Sequence, residues 1–424
     1  MPESSTPDRW RKTNLADLGE YVNGFAFNES YWSTEGLPIV RIAQITGSQG
    51  IVDRYKGTLP DSYRLEEGDI VFSWSGTLAV VRWSGGPAWL NQHLFKVVPR
   101  NGVDADLLFH LLQASVAEMD KRTHGSTMKH IKRGELVEFN VLLPNSPDEQ
   151  AQLARVLDTL DTTIRQTEAI IEKLKQVKQG LLHDLLTRGI ADNGELRPPQ
   201  SEAPQLYKKS ALGWIPKEWD CSNVTDEFNV TSGITLGPHR TPRLYPRKYL
   251  RVANVQRAGI DLSDVAELEA SDAEITSRRL EPGDLLVVEG HASVEEIGRC
   301  AMANEAVRGF TFQNHLFRLR AIRLDHVFGL LWMNSAFVRA YWCKEAATSS
   351  GLNTINRAKL ARVSVAVPTL VEQQQVAAIA EAMNQRVNSE ARQMAKLVSL
   401  KSGLMDDLLT GRVRVTPLLQ RAPA

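Results

Sequence analysis

An internal repeat constrains this chain more than any other feature of its sequence. Glu149-Gln150 opens a long helical pattern that ends at Asp184-Leu185-Leu186-Thr187, and Glu372-Gln373 opens a second one that ends at Asp407-Leu408-Leu409-Thr410. A globular stretch precedes each pattern. Such self-similarity indicates that one structural unit is used twice, so the sequence predicts two folded modules and two long helices.

Further landmarks recur in the same order in both halves. They are Trp10 and Trp219, Arg41–Ile45 and Arg251–Val255, Leu65–Asp69 and Leu280–Asp284, His93–Phe95 and His315–Phe317, and Ile131–Arg133 and Ile355–Arg357. Between these landmarks the two halves have little in common. The sequence therefore predicts one backbone fold that occurs twice, with a different surface on each copy.

Size and composition limit the classes of protein to consider. With 424 residues, the chain exceeds the size at which a single core usually stops growing. Its three cysteines are far apart and fit no zinc spacing, so we expect no metal and a reducing, cytoplasmic compartment. No apolar run approaches the ~20 residues that span a bilayer, and no signal peptide is expected. The net charge of zero still allows a local basic surface.

Residues 1–144 and 217–367 are the two predicted modules, and both should be mixed α/β. Three runs of the first module are predicted strands: Ile70–Trp74, Leu78–Trp83 and Leu94–Val98. Apolar residues spaced by three and four then predict a helix from Ala105 to about Met119. The second module repeats this order with strands at Leu285–Val288 and Leu316–Leu319 and a helix around Val327–Tyr341.

Residues 145–188 and 368–411 are predicted to form the two long helices. Each begins with a capping box, Ser146 to Glu149 and Thr369 to Glu372. Apolar residues then recur with the heptad spacing of a coiled coil. Polar residues interrupt this seam at equivalent places: Thr167, Lys178, Glu390 and Lys401.

A helix of this length, roughly 60 Å at ~1.5 Å per residue, cannot bury an apolar stripe alone. We therefore expect the two helices to pair as an antiparallel coiled coil. The predicted fold class is α+β, with two mixed α/β domains joined by these helices and a pseudo-twofold internal repeat. Residues 189–216 are predicted to be a linker too polar to be core, and residues 412–424 a C-terminal tail. In the alternative arrangement, each module folds back on its own helix.

Short motifs around each predicted helix point to a family. The first copy has Pro144, Glu149-Gln150, the heptad helix and Gly180–Thr187; the second has Pro368, Glu372-Gln373, the heptad helix and Gly403–Gly411. This paired arrangement resembles the conserved helical region of type I restriction-modification specificity subunits. Leu212–Pro216 is similar to the segment that precedes each variable domain in that family. The resemblance covers nearly the whole chain.

That resemblance implies two target-recognition domains, each reading one half of a split DNA site, with the helices as a spacer. It implies double-stranded DNA, two methyltransferase subunits carrying S-adenosylmethionine, and restriction subunits using ATP as partners. The chain itself would be non-catalytic and would need no cofactor. Because the modules differ in sequence, we predict a bipartite, non-palindromic target. The residues predicted to bind partner subunits open the two helices: Glu149, Gln150, Glu372 and Gln373.

Three segments have the composition of a DNA contact surface. The first is basic and rich in small residues: Lys121, Arg122, Ser126, Thr127, Lys129, His130, Lys132 and Arg133. Its counterpart in the second half carries amides suited to base edges: Ser350, Asn353, Asn356 and Arg357. The third clusters cations near tyrosines: Arg240, Arg243, Arg247 and Lys248. We predict phosphate anchoring with some base readout. A solvated charged loop is the alternative for each residue, and a structural ion pair for Arg133 and Arg357.

Motifs of catalysis are missing from the sequence. It has no Gly-x-x-x-x-Gly-Lys phosphate loop, no Asn/Asp-Pro-Pro-aromatic run and no His-Glu-x-x-His zinc site. Turns before a strand explain the acidic runs Glu66–Asp69 and Glu281–Asp284 better than a magnesium site. His93 and His315 are expected to be core histidines. Two alternatives to a DNA reader remain, namely an enzyme with scattered acids and a coiled-coil scaffold with two protein-binding modules and no DNA contact.

Overall fold

The computed structural model describes residues 7–48, 51–122, 130–345 and 353–419, with the backbone alone for Arg122 and Asn353. The protein is α+β and divides into two compact units. Unit 1 comprises Met1–Ile170 and Glu390–Ala424, and unit 2 comprises Ile171–Ser389. Each long helix therefore contributes residues to both units. Among the described residues, no helix is long and apolar enough to cross a membrane.

Within its described residues, unit 1 contains two four-stranded sheets and one further strand pair. The first sheet, all antiparallel, has the order Gly19–Asn23, Leu94–Pro99, Ile70–Ser73, Ala79–Arg82. The second has the order Arg54–Tyr55, Leu37–Val40, Ala88–Leu90, Arg64–Leu65, and its central pair is parallel. Trp10–Asn14 pairs antiparallel with Asn140–Pro144, just before the first long helix. The module's helices are Leu15–Leu18, Ile42–Thr46 and Ala105–Arg122, with 3-10 turns at Glu29–Tyr31, Asp61–Tyr63 and Arg133–Glu138.

The core of unit 1 forms on both faces of the first sheet. Strand Ile70–Ser73 is buried along its whole length. Ile70 and Phe72 pack in one cluster with helix Ala105–Arg122, while Val71 packs in another with the second sheet. Alternate residues of a strand point to opposite faces, which explains why Ile70–Phe72 is an uninterrupted apolar run.

Unit 2 repeats this topology, as the sequence predicts. Its four-stranded sheet has the order Phe228–Ser232, Leu316–Ala321, Leu285–Val288, Cys300–Met302. Its three-stranded sheet has the order Ala266–Glu269, Pro246–Leu250, Thr311–Phe312, and the last pair is parallel. Asp220–Asn223 pairs antiparallel with Ser364–Val367, just before the second long helix.

Smaller elements complete unit 2. Two-stranded pairs join Tyr207–Ser210 with Gly213–Pro216, Val255–Gln256 with Gly259–Ile260, and Gly290–His291 with Asn353–Thr354. The module's helices are Val224–Glu227, Asp272–Arg278, His326–Met333, Ala336–Glu345 and Arg357–Ala361, with 3-10 turns at Pro204–Leu206, Pro238–Arg240, Val252–Asn254 and Glu305–Val307. A short helix, Thr416–Leu419, lies in the tail that belongs to unit 1.

Matched glycines show that the two units share backbone detail as well as topology. A Cβ on Gly24 would lie 2.2 Å from the carbonyl oxygen of Asn91. A Cβ on Gly233 would lie 2.3 Å from the carbonyl oxygen of Gln313. Only glycine permits so close an approach of two backbones. The same close approach of two backbone segments thus occurs at equivalent positions in the two units.

The long helices span Pro147–Thr187 and Leu370–Leu409. The predicted caps are present, since Ser146 Oγ accepts the N–H of Glu149 at 3.4 Å and Thr369 Oγ1 accepts that of Glu372 at 3.3 Å. These caps satisfy donors that a helix start leaves unpaired.

The helices run antiparallel within each unit. In unit 1, Lys401 forms an ion pair of 2.5 Å with Asp161, and Leu153 shares a hydrophobic cluster with Leu408. In unit 2, Leu185 shares a cluster with Val376. The polar seam residue Thr167 is buried and bonds the carbonyl oxygen of Thr163 at 2.8 Å, so its hydroxyl has a partner.

The predicted helix Val327–Tyr341 is in fact two helices, His326–Met333 and Ala336–Glu345. Asn334 ends the first, because its side-chain amide donates to the carbonyl oxygens of Cys300 at 2.9 Å and Leu330 at 3.2 Å. Asparagine commonly terminates helices by such local bonds. Apolar periodicity alone did not reveal the break.

The segment 189–216 was wrongly expected to be too polar for the core. Ile190, Tyr207 and Ile215 are buried in unit 2, and Ile190 and Ile215 belong to its main hydrophobic cluster. The Tyr207 hydroxyl also donates to the carbonyl oxygen of Pro198 at 2.6 Å. Several of the segment's apolar residues thus face inward, although Trp214 is exposed, and its many polar residues dominate the average composition.

Candidate nucleic-acid interface

In both units, one corner of the four-stranded antiparallel sheet carries side chains that differ between the units. The corner lies where the buried central strand ends, Ile70–Ser73 in unit 1 and Leu285–Val288 in unit 2. In unit 1 the N–H of Ile131 donates to the carbonyl oxygen of Trp74 at 2.9 Å; in unit 2 the N–H of Ile355 donates to that of Glu289 at 2.7 Å. We call this place the strand-end corner and define it by Asn23, Trp74, His93 and His130 in unit 1, and by Ser232, Glu289, His315 and Thr354 in unit 2.

The unit 1 corner is aromatic. The Trp74 ring centroid lies 5.9 Å from that of His93 and 5.8 Å from that of His130. Trp74 Nε1 donates to Asn23 Oδ1 at 3.2 Å, which fixes the orientation of the indole. His130 also forms a backbone bridge to Ser75. This arrangement presents ring edges and faces, a surface suited to apolar and stacking contacts.

The unit 2 corner is charged and polar instead. Glu289 replaces the tryptophan, and its Oε2 lies 2.9 Å from His315 Nδ1. Thr354 pairs with Gly290 at the position where His130 bridges Ser75. Equivalent backbone therefore carries chemically unlike side chains.

His93 and His315 were wrongly expected to be core histidines. Both are exposed, and the His315 side chain retains 58% of its accessible surface. Each histidine lies at a turn, one residue before its strand begins. The apolar residues of the strand enter the core, but the histidine does not.

The basic segment of unit 1 contains several exposed basic side chains, and that of His130 lies at this corner. Lys121 is exposed near the end of helix Ala105–Arg122, and His130, Lys132 and Arg133 are exposed beyond it. Ser126, Thr127 and Lys129 lie outside the described residues, as does the side chain of Arg122.

The matching segment of unit 2 has more internal partners. Asn356 caps helix Arg357–Ala361 by accepting the N–H of Lys359 at 2.8 Å, and Arg357 donates to the carbonyl oxygen of Val230 at 3.2 Å. Asn353 pairs through its backbone with His291. Ser350 lies outside the described residues.

The third predicted cluster is largely paired internally. Arg240 holds Glu274 with two hydrogen bonds, of 2.7 and 3.1 Å, and Arg247 pairs with Asp272. The Arg240 side chain and the Ser271 backbone together lower the pKa of Glu274 to about 2. Arg243 and Lys248 remain exposed. Of the four predicted residues, these two have the freer charges.

The prediction that Glu149, Gln150, Glu372 and Gln373 face partner subunits is contradicted by their burial, since each is at most 5% exposed. Gln150 accepts the N–H of Asp104 at 2.8 Å and donates to the carbonyl oxygen of Pro144 at 2.9 Å. Gln373 makes the matching bonds to Asp325 at 2.7 Å and Pro368 at 2.9 Å. A buried side chain with its hydrogen bonds used has no surface to offer a partner.

The two glutamates bind an arginine from the segment that follows the other helix. Glu372 accepts from Arg197 and from Trp219 Nε1, the latter at 3.0 Å. Glu149 accepts from Arg414 at 2.8 and 3.0 Å, which raises the pKa of that arginine. The Glu-Gln repeats are evident in the sequence, but no local pattern marks Arg197 and Arg414 as their partners.

An ion network in unit 1 was also not predicted. His110 Nε2 lies 2.8 Å from Asp158, and ligand atoms of His110, Asp158 and Asp161 fall within 4.8 Å of one another. Arg82 pairs with Asp158 at 2.8 Å and Lys401 with Asp161 at 2.5 Å. The two cations already offset the two carboxylates, so this donor set does not favour a metal ion.

The predicted turns are confirmed at both acidic runs. Gly68 and Gly283 each have φ of +92°, a conformation that favours glycine. Asp69 and Asp284 accept the backbone N–H three residues earlier, at 2.7 and 2.8 Å. Lys96 pairs with Asp69 at 2.7 Å. These carboxylates are therefore part of the turns.

Comparisons with known proteins agree with the fold. Residues 7–176 match the model of the type I restriction modification DNA specificity domain. The chain is 21% identical to the type I restriction enzyme EcoBI specificity subunit of Escherichia coli, over 97% of this chain and 86% of that protein. It is 22% identical to the MjaVIII specificity subunit of Methanocaldococcus jannaschii, over 97% and 95%. The crystal structure of an S subunit from M. genitalium matches with a TM-score of 0.54 and 14% identity, over 96% and 98%.

Proposed function

We propose that the chain is the DNA sequence-specificity subunit of a type I restriction-modification complex, because residues 7–176 match that family's DNA specificity domain and specificity subunits are 21% and 22% identical to the chain over 97% of its length. Its two modules, residues 1–144 and 217–367, each read one half of a bipartite, non-palindromic site. The long helices, residues 145–188 and 368–411, act as the spacer between the half-sites. Partner subunits carry out the chemistry.

The observation that carries this proposal is the strand-end corner. A protein that reads two different half-sites needs one docking geometry and two sets of base contacts. The two corners have matched backbone hydrogen bonds, yet one presents Trp74 and the other Glu289. A scaffold that bound the same partner twice would have no need of unlike side chains there.

Exposed cations supply the phosphate contacts in this proposal. In unit 1 these are Lys121, Lys132 and Arg133, and in unit 2 Arg243 and Lys248. Cations without a carboxylate partner gain most from phosphate, since they do not have to break an ion pair first. Arg240 and Arg247 act instead by shaping the loop that holds Arg243.

The proposed partners are two methyltransferase subunits that bring S-adenosylmethionine, and restriction subunits that use ATP. Since the Glu-Gln pairs are buried, we assign partner binding to exposed faces of the helices and not to those four side chains. The buried pairs position the modules on the helix ends.

Methylation mapping of host DNA, with and without this gene, tests the function. We expect adenine methylation at a split, non-palindromic motif that disappears when the gene is deleted. A continuous palindrome, or no change on deletion, would contradict the proposal. Duplex binding that does not weaken as salt rises would favour the scaffold alternative, because phosphate contacts release counterions.

A further inference from the structure

We propose that Glu289 and His315 read a cytosine in the half-site bound by the second module. This inference rests on the proposed function and adds a base and its readers to it. The pair would accept a hydrogen bond from the exocyclic amino group of the cytosine in the major groove. The residues belong to the strand-end corner of unit 2, and both are accessible there, with side-chain exposures of 26% for Glu289 and 58% for His315.

The backbone holds Glu289 on both sides. Its N–H donates to the carbonyl oxygen of His315 at 2.9 Å, and its own carbonyl oxygen accepts the N–H of Ile355 at 2.7 Å. It directly follows the fully buried strand Leu285–Val288. A reading group fixed in this way loses little conformational freedom on binding, which favours selectivity.

The contact between the two side chains defines what they offer to DNA. Glu289 Oε2 lies 2.9 Å from His315 Nδ1. An ionised carboxylate can only accept hydrogen bonds, so Nδ1 carries the proton. The other carboxylate oxygen remains an acceptor whatever the charge of the imidazole, and in the neutral imidazole Nε2 adds a second acceptor. The corner therefore offers acceptors and disfavours phosphate oxygens.

Among the four bases, cytosine fits a surface of acceptors best. Its major-groove edge presents the N4 amino group as a donor and no acceptor. Guanine presents two acceptors, and thymine an acceptor and a methyl group. Adenine has a donor, but its N7 acceptor would face the second acceptor of the pair.

The first module lacks this pair, and this asymmetry makes the inference testable. At the position of Glu289, unit 1 has Trp74, which contacts His93 through its ring and bonds Asn23. Changing Glu289 should therefore alter one half of the methylated motif and leave the other half and the gap unchanged.

The experiment maps methylation in cells that express the full complex with Glu289→Gln in this chain. The amide matches the carboxylate in shape and adds a donor, which suits adenine. We expect the cytosine preference at one position of one half-site to fall by roughly ten- to a hundred-fold, with adenine gaining. Glu267→Gln is the matched control, because Glu267 is an exposed glutamate on strand Ala266–Glu269 of the same unit. It should leave the motif unchanged.

The results separate this inference from the proposed function. A wild-type motif without a G·C pair in either half-site overturns the inference, whatever the variants do. An identical motif for the wild type and Glu289→Gln overturns it as well, while the proposed function stands. The absence of any motif that depends on this gene overturns both.

Discussion

Glu372 and Arg197 form a buried bidentate ion pair that joins the start of one long helix to the segment that follows the other. Arg197 Nη1 lies 2.5 Å from Oε1, and the side chains are 9% and 6% exposed. Glu149 and Arg414 make the matched pair in unit 1, but the Arg414 side chain is 29% exposed. The same kind of ion pair thus occurs in both units, but its arginine is more buried in unit 2 than in unit 1.

Replacing Arg197 with methionine should strongly destabilise unit 2, because it leaves the carboxylate of Glu372 buried without its cation. We expect the free energy of unfolding to fall by about 3–5 kcal/mol. Arg414→Met is the comparison and should cost less, because the Arg414 side chain is 29% exposed and Arg197 only 9%, although Glu149 is as buried as Glu372. Urea denaturation of the full chain, followed by tryptophan fluorescence, measures both. Equal losses would show that burial does not decide the effect.

A second prediction concerns Gly189, which ends the first long helix with φ of +64°. A Cβ there would lie 2.1 Å from Glu372 Oε1 and 2.4 Å from the Trp219 ring. Gly189→Ala should therefore lower the free energy of unfolding by more than the ~1 kcal/mol expected for the left-handed backbone alone. Gly180→Ala provides the contrast. Its Cβ would meet nothing within 4 Å, so replacing a helical glycine should stabilise by roughly 0.5–1 kcal/mol. Thermal unfolding of both variants checks the opposite signs.

The repeat and the long helices could be predicted because they depend on local signals. Helix N-caps, heptad spacing and the acidic turns each lie within a few residues of sequence, and the structure has all three, although Glu149 and Glu372 bind arginines and do not close the predicted capping boxes. The break at Asn334 escaped prediction because its cause is a bond to Cys300, far away in the sequence.

The candidate site was only partly predictable for the same reason. The basic composition around Lys132 marked a segment, but composition did not reveal which cations pair internally. Arg240 pairs with Glu274, 34 positions later, and Glu149 pairs with Arg414, 265 positions later. The strand-end corner can be recognised only from the sheet topology, which places Trp74 and Glu289 at equivalent positions. Contacts between distant positions left no periodic signal in the sequence.

A third prediction addresses the exposed cations of unit 1. If Lys132 and Arg133 contact phosphates, each change to glutamine should weaken duplex binding about equally for all sequences. Each should also reduce the slope of log affinity against log salt by about 1. Titrations with the methyltransferase complex at several salt concentrations measure this. Lys56→Gln, an exposed lysine of unit 1 that pairs with Glu35, is the control and should leave the slope unchanged. An unaltered slope for Lys132→Gln and Arg133→Gln would remove them from the interface.

The last prediction concerns His110, whose side chain is fully buried beside Asp158. Burial lowers the pKa of His110 below its usual value of 6.5, although the hydrogen bond and charge of Asp158 oppose that shift and Arg82 adds to it. Folding thus favours the neutral imidazole. The unfolded chain binds a proton more readily below pH 6.5, so this stabilisation is complete above that pH and is lost as the pH falls towards the folded pKa.

His110→Leu should make the stability of unit 1 less dependent on pH below 6.5. Leucine is a suitable replacement because Leu331 occupies the matching helix position in unit 2. His110 lies six residues after Asp104, whose N–H donates to Gln150, and Leu331 lies six residues after Asp325, whose N–H donates to Gln373. Urea midpoints at pH 5.5 and 7.5 give the measurement, and His183→Leu, an exposed histidine in unit 2, is the control. If the wild type and His110→Leu lost equal stability between these pH values, other groups would control the acid sensitivity of unit 1.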